Sequence, residues 1–322
     1  MRKFLITSVL AVTVGLAACG KGEDKNAANQ ALDAARIAYN KEIMDERAAR
    51  LARLQRPDGW LSLVGMHWLE RGTTRVGSAK DNGTQLRVGP PHIGIVTLDK
   101  NDTITFAPES GADITVDGQP AKGTVKLVSD ADAGDKGPTL VGFNKGDASF
   151  IVIKRGDRYA LRVKDALAST RTGFEPIPYF DIDPAFRIKA RFKAHPPGQK
   201  IQVLNIIGIY EPMDNPGTVT FEKDGKSFTM EAIDEGDHRL FFTFADRTSG
   251  HESYAAARFL YASYPGPDGT TIVDFNKTYD PPCAFTPYAT CPLPPASNRL
   301  DIAIRAGEKK PLHGIVEEEL KP

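Results

Sequence analysis

From Thr73 onward, turn residues cut the chain into short extended runs, and this punctuation steers it toward β architectures. "HIGIVTL", "DTITFAP", "ADITVDG" and "GTVKLVS" are four such runs. Asp81-Asn82-Gly83, Pro90-Pro91, Asp99-Lys100-Asn101 and Asp117-Gly118 separate them. Asn-Gly and Asp-Gly supply the positive φ of tight hairpins, and the β-branched residues between them suit a pleated, half-buried surface. The 29 glycines and 23 prolines fit many turns. Helical periodicity is scarce after Trp60, and no internal repeat of fixed period is evident. The expected fold class is mainly β: a small sandwich or barrel-like region over residues 58–148, then a larger antiparallel β domain over residues 149–310. Residues 311–322 read as a tail. In "SFIVIKRGDRYALRVKD" a hairpin turn is expected at Arg155-Gly156-Asp157.

One helix precedes this body. Over residues 31–57, Leu32, Ala35, Tyr39, Ile43, Ala49 and Leu54 recur at roughly helical spacing. Pro57-Asp58-Gly59 ends the run. Its apolar stripe is expected to pack against the β body.

The chain opens "MRKFLITSVLAVTVGLAACG". Arg2 and Lys3 precede an apolar stretch from Phe4 to Ala18, too short to span a bilayer comfortably, and the pattern reads as an export signal. Leu16-Ala17-Ala18-Cys19 resembles a bacterial lipobox. Residues 1–18 are therefore expected to be a removed signal peptide, with Cys19 lipidated, palmitate included, and residues 19–30 a polar tether. An ordinary secretory signal or a simple membrane anchor is the alternative. The lipoprotein reading places the chain in the cell envelope, held to a membrane through Cys19 and facing the periplasm; Gly20 after the cysteine, in place of Asp, leans toward the outer membrane. About 300 residues remain after the cut, enough for one large core or two smaller ones. With 41 basic and 41 acidic residues, nothing in the charge suggests a surface for nucleic acid.

Export also bears on the cysteines. Lipid occupies Cys19, and an exported compartment permits a disulfide between Cys283 and Cys291, worth roughly 2–3 kcal/mol by loop-entropy reasoning. Two buried free thiols are the alternative. No metal site is expected: two thiolates do not complete a tetrahedral set, and His67, His92, His195, His238, His251 and His313 show no ligand spacing. No cofactor is expected either. Gly-x-Ser-x-Gly, a phosphate-cradling Gly-Lys-Ser/Thr loop and His-Glu-x-x-His are all absent. "RVGSAKDNGTQL" followed by His92 is faintly similar to the phosphopeptide-binding forkhead-associated domain, but the serine and asparagine pattern is met too loosely to assign phosphothreonine binding.

Polar side chains concentrate in residues 242–300, which end in "YDPPCAFTPYATCPLPPASNRL". Its prolines exclude helix and central strand. Arg258 stands among Ala257, Phe259 and Leu260, and an arginine on a half-buried face needs a carboxylate or carbonyl partner. Asp274 is the expected partner. Two readings compete here. In one, Arg258, Asp274, Asn276 and Arg299 tie the proline-rich loop to the sheet. In the other, the loop rims a polar cleft: Arg258 and Arg299 hold an anionic group, Asp274 orients Arg258, Asn276 adds a polar contact and Tyr279 is a flat wall. The expected function is binding of a small anionic or sugar-like ligand by a membrane-anchored envelope protein. The alternatives are a hydrolase of an envelope glycan or ester, with Asp246, Glu252 or Asp274 as acid or base, and a purely structural accessory lipoprotein.

Longer phrases make the chain recognisable. "WLSLVGMHWLERGTTRVGS", "PHIGIV", "YALRVKD", "GFEPIPYFDIDPAFRIKARF", "LFFTFADRTSGHESYAAARFLY", "VDFNKTYDPPCAFTPYATCPLPPASNRL" and "IRAGEK" are similar to the bacterial family named domain of unknown function 1684. The resemblance covers roughly residues 50–310. It departs at "SYAAARFL", where members often carry a Thr-Tyr-Gly-like step. Arg258, Asp274, Asn276, Tyr279, Pro281, Pro282, Cys283, Cys291, Pro292 and Arg299 stand at positions of its strongest phrases. The resemblance implies domain limits and no activity.

Overall fold

The computed structural model describes residues 21–312. The expected signal peptide, Cys19 and residues 313–322 lie outside that span. Helix α1 covers Lys21–Leu54, so residues 21–30, expected as a tether, are helical. Their Lys, Glu, Asn, Gln and Ala content is compatible with a helix, and Pro57 bars its continuation at the other end. The chain divides into two compact units between Met44 and Asp45, and every strand among the described residues belongs to the second. The expected apolar stripe is incomplete, since Leu32 is 69% exposed. No helix among the described residues is long and apolar enough to cross a membrane, so the expected membrane association has no spanning helix behind it.

Eleven strands form the smaller β region. They are β1 (Leu63–Trp68), β2 (Gly72–Gly77), β3 (Thr84–Gln85), β4 (Gly94–Leu98), β5 (Ile104–Pro108), β6 (Thr115–Val116), β7 (Gln119–Pro120), β8 (Val125–Leu127), β9 (Val141–Phe143), β10 (Ala148–Arg155) and β11 (Arg158–Asp165). One sheet runs β1-β11-β10-β9-β6-β7 and the other β3-β2-β4-β5-β8. Val76, Val96, Phe106, Phe143, Phe150 and Leu161, drawn from both sheets, share one buried core, which makes the region a sandwich. The hairpin turns at Gly156-Asp157, with Arg155 opposite Arg158. Because β11 pairs with β1 and β10 with β9, this hairpin belongs to the smaller region, which runs to Asp165 and not to 148. His92 Nδ1 and Asn82 Oδ1 lie 3.0 Å apart, and Asn82 donates to the carbonyls of Ala79 and Pro91 at 2.7 and 2.8 Å. These residues brace two loops against each other.

The larger domain is one antiparallel sheet of seven strands: β12 (Arg187–Ala194), β13 (Lys200–Leu204), β14 (Tyr210–Lys223), β15 (Lys226–Asp234), β16 (Arg239–Phe244), β17 (Arg258–Ser263) and β18 (Thr270–Asp274). Its order is β17-β16-β15-β14-β12-β18, with β13 added on β14. The two end strands come together: Thr271 Oγ1 on β18 donates to the carbonyl of Ser263 on β17 at 2.7 Å. The sheet thus curls into a nearly closed barrel. Side chains alternate across each strand. Leu240, Phe242 and Phe244 of β16 and Leu260 of β17 fill the barrel core, together with Phe221, Met230 and Phe275. Phe241 and Phe259 belong to a separate cluster with Tyr261 and Tyr279. That change of face positions the site.

Candidate functional site

A cavity of about 680 Å³ opens on the face of β16 and β17 away from the barrel core. Phe241, Phe259, Tyr261, Tyr279 and Trp60 supply its aromatic wall. Tyr261 and Tyr279 stack 6.3 Å apart with 14° between their planes, and Phe259 meets Tyr279 edge-on at 5.8 Å. Tyr279 is held there by main-chain pairing with Phe259 (2.8 and 3.0 Å), which extends the sheet past its edge strand. Pro282, Thr290, Cys291 and Pro292 of the proline-rich loop form another side. The loop is seated by the Ile206 N–H on the Cys291 carbonyl (2.9 Å) and the Leu293 N–H on the Leu204 carbonyl (2.8 Å).

Arg50, Arg53, Arg155 and Arg239 line the cavity, with Glu46 and Glu235. Three of these arginines have carboxylate partners: Arg50 meets Glu308 at 3.1 Å, Arg155 meets Asp130 at 2.9 Å and Arg239 meets Asp237 at 2.5 Å. Two also lie over the aromatic wall, Arg239 at 3.9 Å from the Tyr261 ring and Arg50 at 4.7 Å from that of Tyr279. Tyr261 donates its hydroxyl to Glu235. Burial pushes the Glu235 carboxyl above its usual range, and the Tyr261 hydrogen bond opposes the shift. Burial also raises the Tyr279 hydroxyl to about 12, so it is a neutral donor at physiological pH.

Of the residues expected to bind a ligand, only Tyr279 lines this cavity. Arg258 is fully buried on the barrel side of β17. Its partner is Asp246 at 3.1 Å, not Asp274, and it donates to the carbonyls of Ala306 (2.7 Å) and Ile304 (2.9 Å). Asp246 also accepts the Ile304 N–H at 2.6 Å and the Thr248 hydroxyl at 2.9 Å. Gly307 closes this brace: its φ is +79°, and a Cβ there would lie 1.9 Å from Thr278 Oγ1. Asp274 accepts the Asn276 N–H at 3.1 Å and lies 3.7 Å from Arg187. Asn276 exchanges hydrogen bonds with the Asp183 main chain at 3.0 and 2.8 Å. Arg299 is exposed, away from the cavity lining. Glu252 is bound to Arg305 at 2.9–3.0 Å. Asp246, Glu252 and Asp274 therefore all lie outside the cavity wall.

The expected disulfide is absent. Cys283 and Cys291 are free, buried thiols, and the Cys283 N–H donates to the Cys291 sulfur at 3.2 Å. Main-chain hydrogen bonds and buried apolar contacts, without a covalent bridge, hold this part of the loop.

Another buried cluster lies behind Tyr279. The Asp280 N–H donates to Glu308 Oε2 at 2.6 Å, and the Asp280 carbonyl accepts from Arg50 at 2.8 Å. Both carboxyl oxygens of Asp280 are buried without a hydrogen-bond partner among the described residues.

The site is thus an aromatic cavity, edged by arginines, between a curled β-sheet and a proline-rich loop. Residues 172–309, which carry that sheet and loop, match the family described as "Protein of unknown function (DUF1684)", a narrower span than the sequence phrases implied. Among solved structures the chain is similar to an uncharacterized protein of Haloarcula marismortui determined by solution NMR. Identity is 32%, over 43% of this chain and 78% of that one, with a TM-score of 0.35. No curated protein matches the chain.

Proposed function

We propose that this protein binds a small organic anion in the aromatic cavity and performs no chemistry on it there. The observation that carries the reading is the cavity itself: about 680 Å³, walled by aromatic rings and edged by arginines. That volume and lining are typical of small-molecule sites, in which apolar walls supply affinity and a few polar groups set orientation. Flat rings such as Tyr261 and Tyr279 suit a planar or sugar-like body, and guanidinium groups suit carboxylate or phosphate. Each acid–base candidate from the sequence is engaged elsewhere, which favours binding over hydrolysis.

Mass spectrometry of small molecules retained by the natively purified protein tests this. A retained organic anion is expected, with occupancy falling about tenfold in Tyr261→Ala as one stacking wall is lost. Equal occupancy in the variant would count against the cavity as the binding place.

The export signal and Cys19 support a companion proposal, that the chain is lipid-anchored at Cys19 and faces the periplasm. Cys19→Ser is then expected to release the protein from membranes into the soluble fraction. Unchanged membrane association of that variant would overturn lipid attachment at this residue.

A further inference from the structure

The arginines at the cavity wall and the one behind it are not electrostatically equal; Arg53, at the wall, is exposed to solvent. Arg50, Arg155 and Arg239 each face a carboxylate. Arg162, on β11, does not. It is 5% exposed, forms no ion pair among the described residues, and leaves its buried Nε without a hydrogen-bond partner. Its one side-chain hydrogen bond runs from Nη2 to Thr290 Oγ1, at 3.2 Å. Its guanidinium lies 5.6 Å from the Trp60 ring centre. Thr290 and Trp60 both line the cavity, so Arg162 stands directly behind that wall.

Thr290 joins this charge to a second. Its hydroxyl oxygen also accepts from Arg155 Nε at 2.8 Å. With two hydrogen bonds accepted, the hydroxyl still has its own hydrogen to donate. Burial and the charge of Arg155 lower Arg162 only to about 10, so it stays protonated at physiological pH. A guanidinium held in low dielectric without a counter-charge is costly. Asp130, already bound to Arg155, is the nearby acid. The corner therefore carries two cations against one anion, with two guanidinium groups and one hydroxyl converging.

Resting on the binding function above, we propose that Arg155, Thr290 and Arg162 form the seat for the ligand's anionic group, a carboxylate, sulfonate or phosphate. The ligand's flat apolar body lies against Tyr261 and Tyr279. The anion supplies the counter-charge that Arg162 lacks, and the aromatic wall holds the remainder. Arg162 then sets specificity for charge, while the rings set affinity for the body.

Two fluorescent probes separate the seat from the cavity. One is 8-anilinonaphthalene-1-sulfonate; the other is N-phenyl-1-naphthylamine, with the same rings and no sulfonate. Titrated against the full chain at low salt, the sulfonate is expected to bind at least about ten times more tightly than the amine, as charge-assisted hydrogen bonds would give. Arg162→Gln, and independently the less buried Arg155→Gln, should remove most of that preference, weakening the sulfonate far more than the amine. The amine thus reports an intact cavity in each variant. If both probes bind but neither variant alters their ratio, the seat is wrong and the cavity reading survives. If neither probe binds, or both bind equally well to Tyr261→Ala, the cavity reading fails and the seat with it.

Discussion

Arg258→Ala is expected to lower the free energy of unfolding by about 3–5 kcal/mol, read as a fall in the urea midpoint. The substitution leaves the Asp246 carboxylate buried without its cation. It also removes the donor from the carbonyls of Ile304 and Ala306, which Arg258 reaches at 2.9 and 2.7 Å. Breaking one side of a buried pair costs far more than the pair contributes, because the remaining charge cannot regain water. Coupling should be visible: Arg258→Ala with Asp246→Ala is expected to cost less than the sum of the single changes. The same substitution tests bracing against binding. The folded fraction of Arg258→Ala should bind anilinonaphthalene sulfonate as the parent does, because Arg258 faces the barrel core and not the cavity. Full stability with weakened binding would reverse that assignment.

Asp280→Asn should act in the opposite direction and stabilise the protein at pH 7, by about 1.4 kcal/mol for each pKa unit by which the fold raises this carboxyl. Arg258 pairs with Asp246 and Arg50 with Glu308, which accounts for both guanidiniums near Asp280. Its carboxyl is left as a third acid, fully buried and without a hydrogen-bond partner among the described residues. Burial, and then the charge of Glu308, hold its pKa well above the ordinary value. The sign follows from linkage. A folded pKa above the unfolded one means that the native state binds this proton more tightly, so stability falls as pH rises from the unfolded value, about 3.9, toward the folded one. Asparagine does not titrate. Its advantage should therefore be largest at neutral pH and shrink toward zero below about pH 4, where Asp280 is protonated in both states. Urea unfolding of both proteins across that range measures it. A gain independent of pH, or a loss of stability at pH 7, would show that the carboxyl is satisfied in some other way.

These expectations concern residues that differ in how plainly the sequence announced them. Turn chemistry marked the β architecture because Asp-Gly constrains φ locally, as at Asp117-Gly118 with φ of 49° and 77°, and the β10–β11 turn came within a residue of its expected place. The boundary at 148 was less legible. Whether a hairpin joins the sheet before it or the one after it depends on pairing with β1, more than 80 residues back in sequence, and no local pattern encodes that. The tether also misled: a run of polar residues suits an exposed helix as well as a coil, and composition alone does not separate the two.

At the site, one parity decided most of the outcome. Arg258 drew notice because a charge among apolar residues is conspicuous, and it is indeed buried and paired. Yet β17 sends Arg258 and Leu260 to the barrel core, and Phe259 and Tyr261 to the cavity. The odd-numbered aromatics Phe241, Phe259 and Tyr261 were the available signal, readable as one face once the strands were drawn. Arg155 and Arg162, on the hairpin of the smaller sandwich, had no such signal. They reach the proline-rich loop only through Thr290, at sequence separations of 135 and 128.

What the chain determined by itself was local: where φ turns positive, where a helix must stop, which segments alternate, and that a proline-rich loop needs tying down. The folded structure alone decided the partners. It gave Arg258 to Asp246 rather than Asp274, left Cys283 and Cys291 as thiols, and brought two β regions to one cavity wall. Local dihedral preferences act over a few residues, whereas charge pairing, thiol geometry and cavity shape depend on distances that only the closed fold sets.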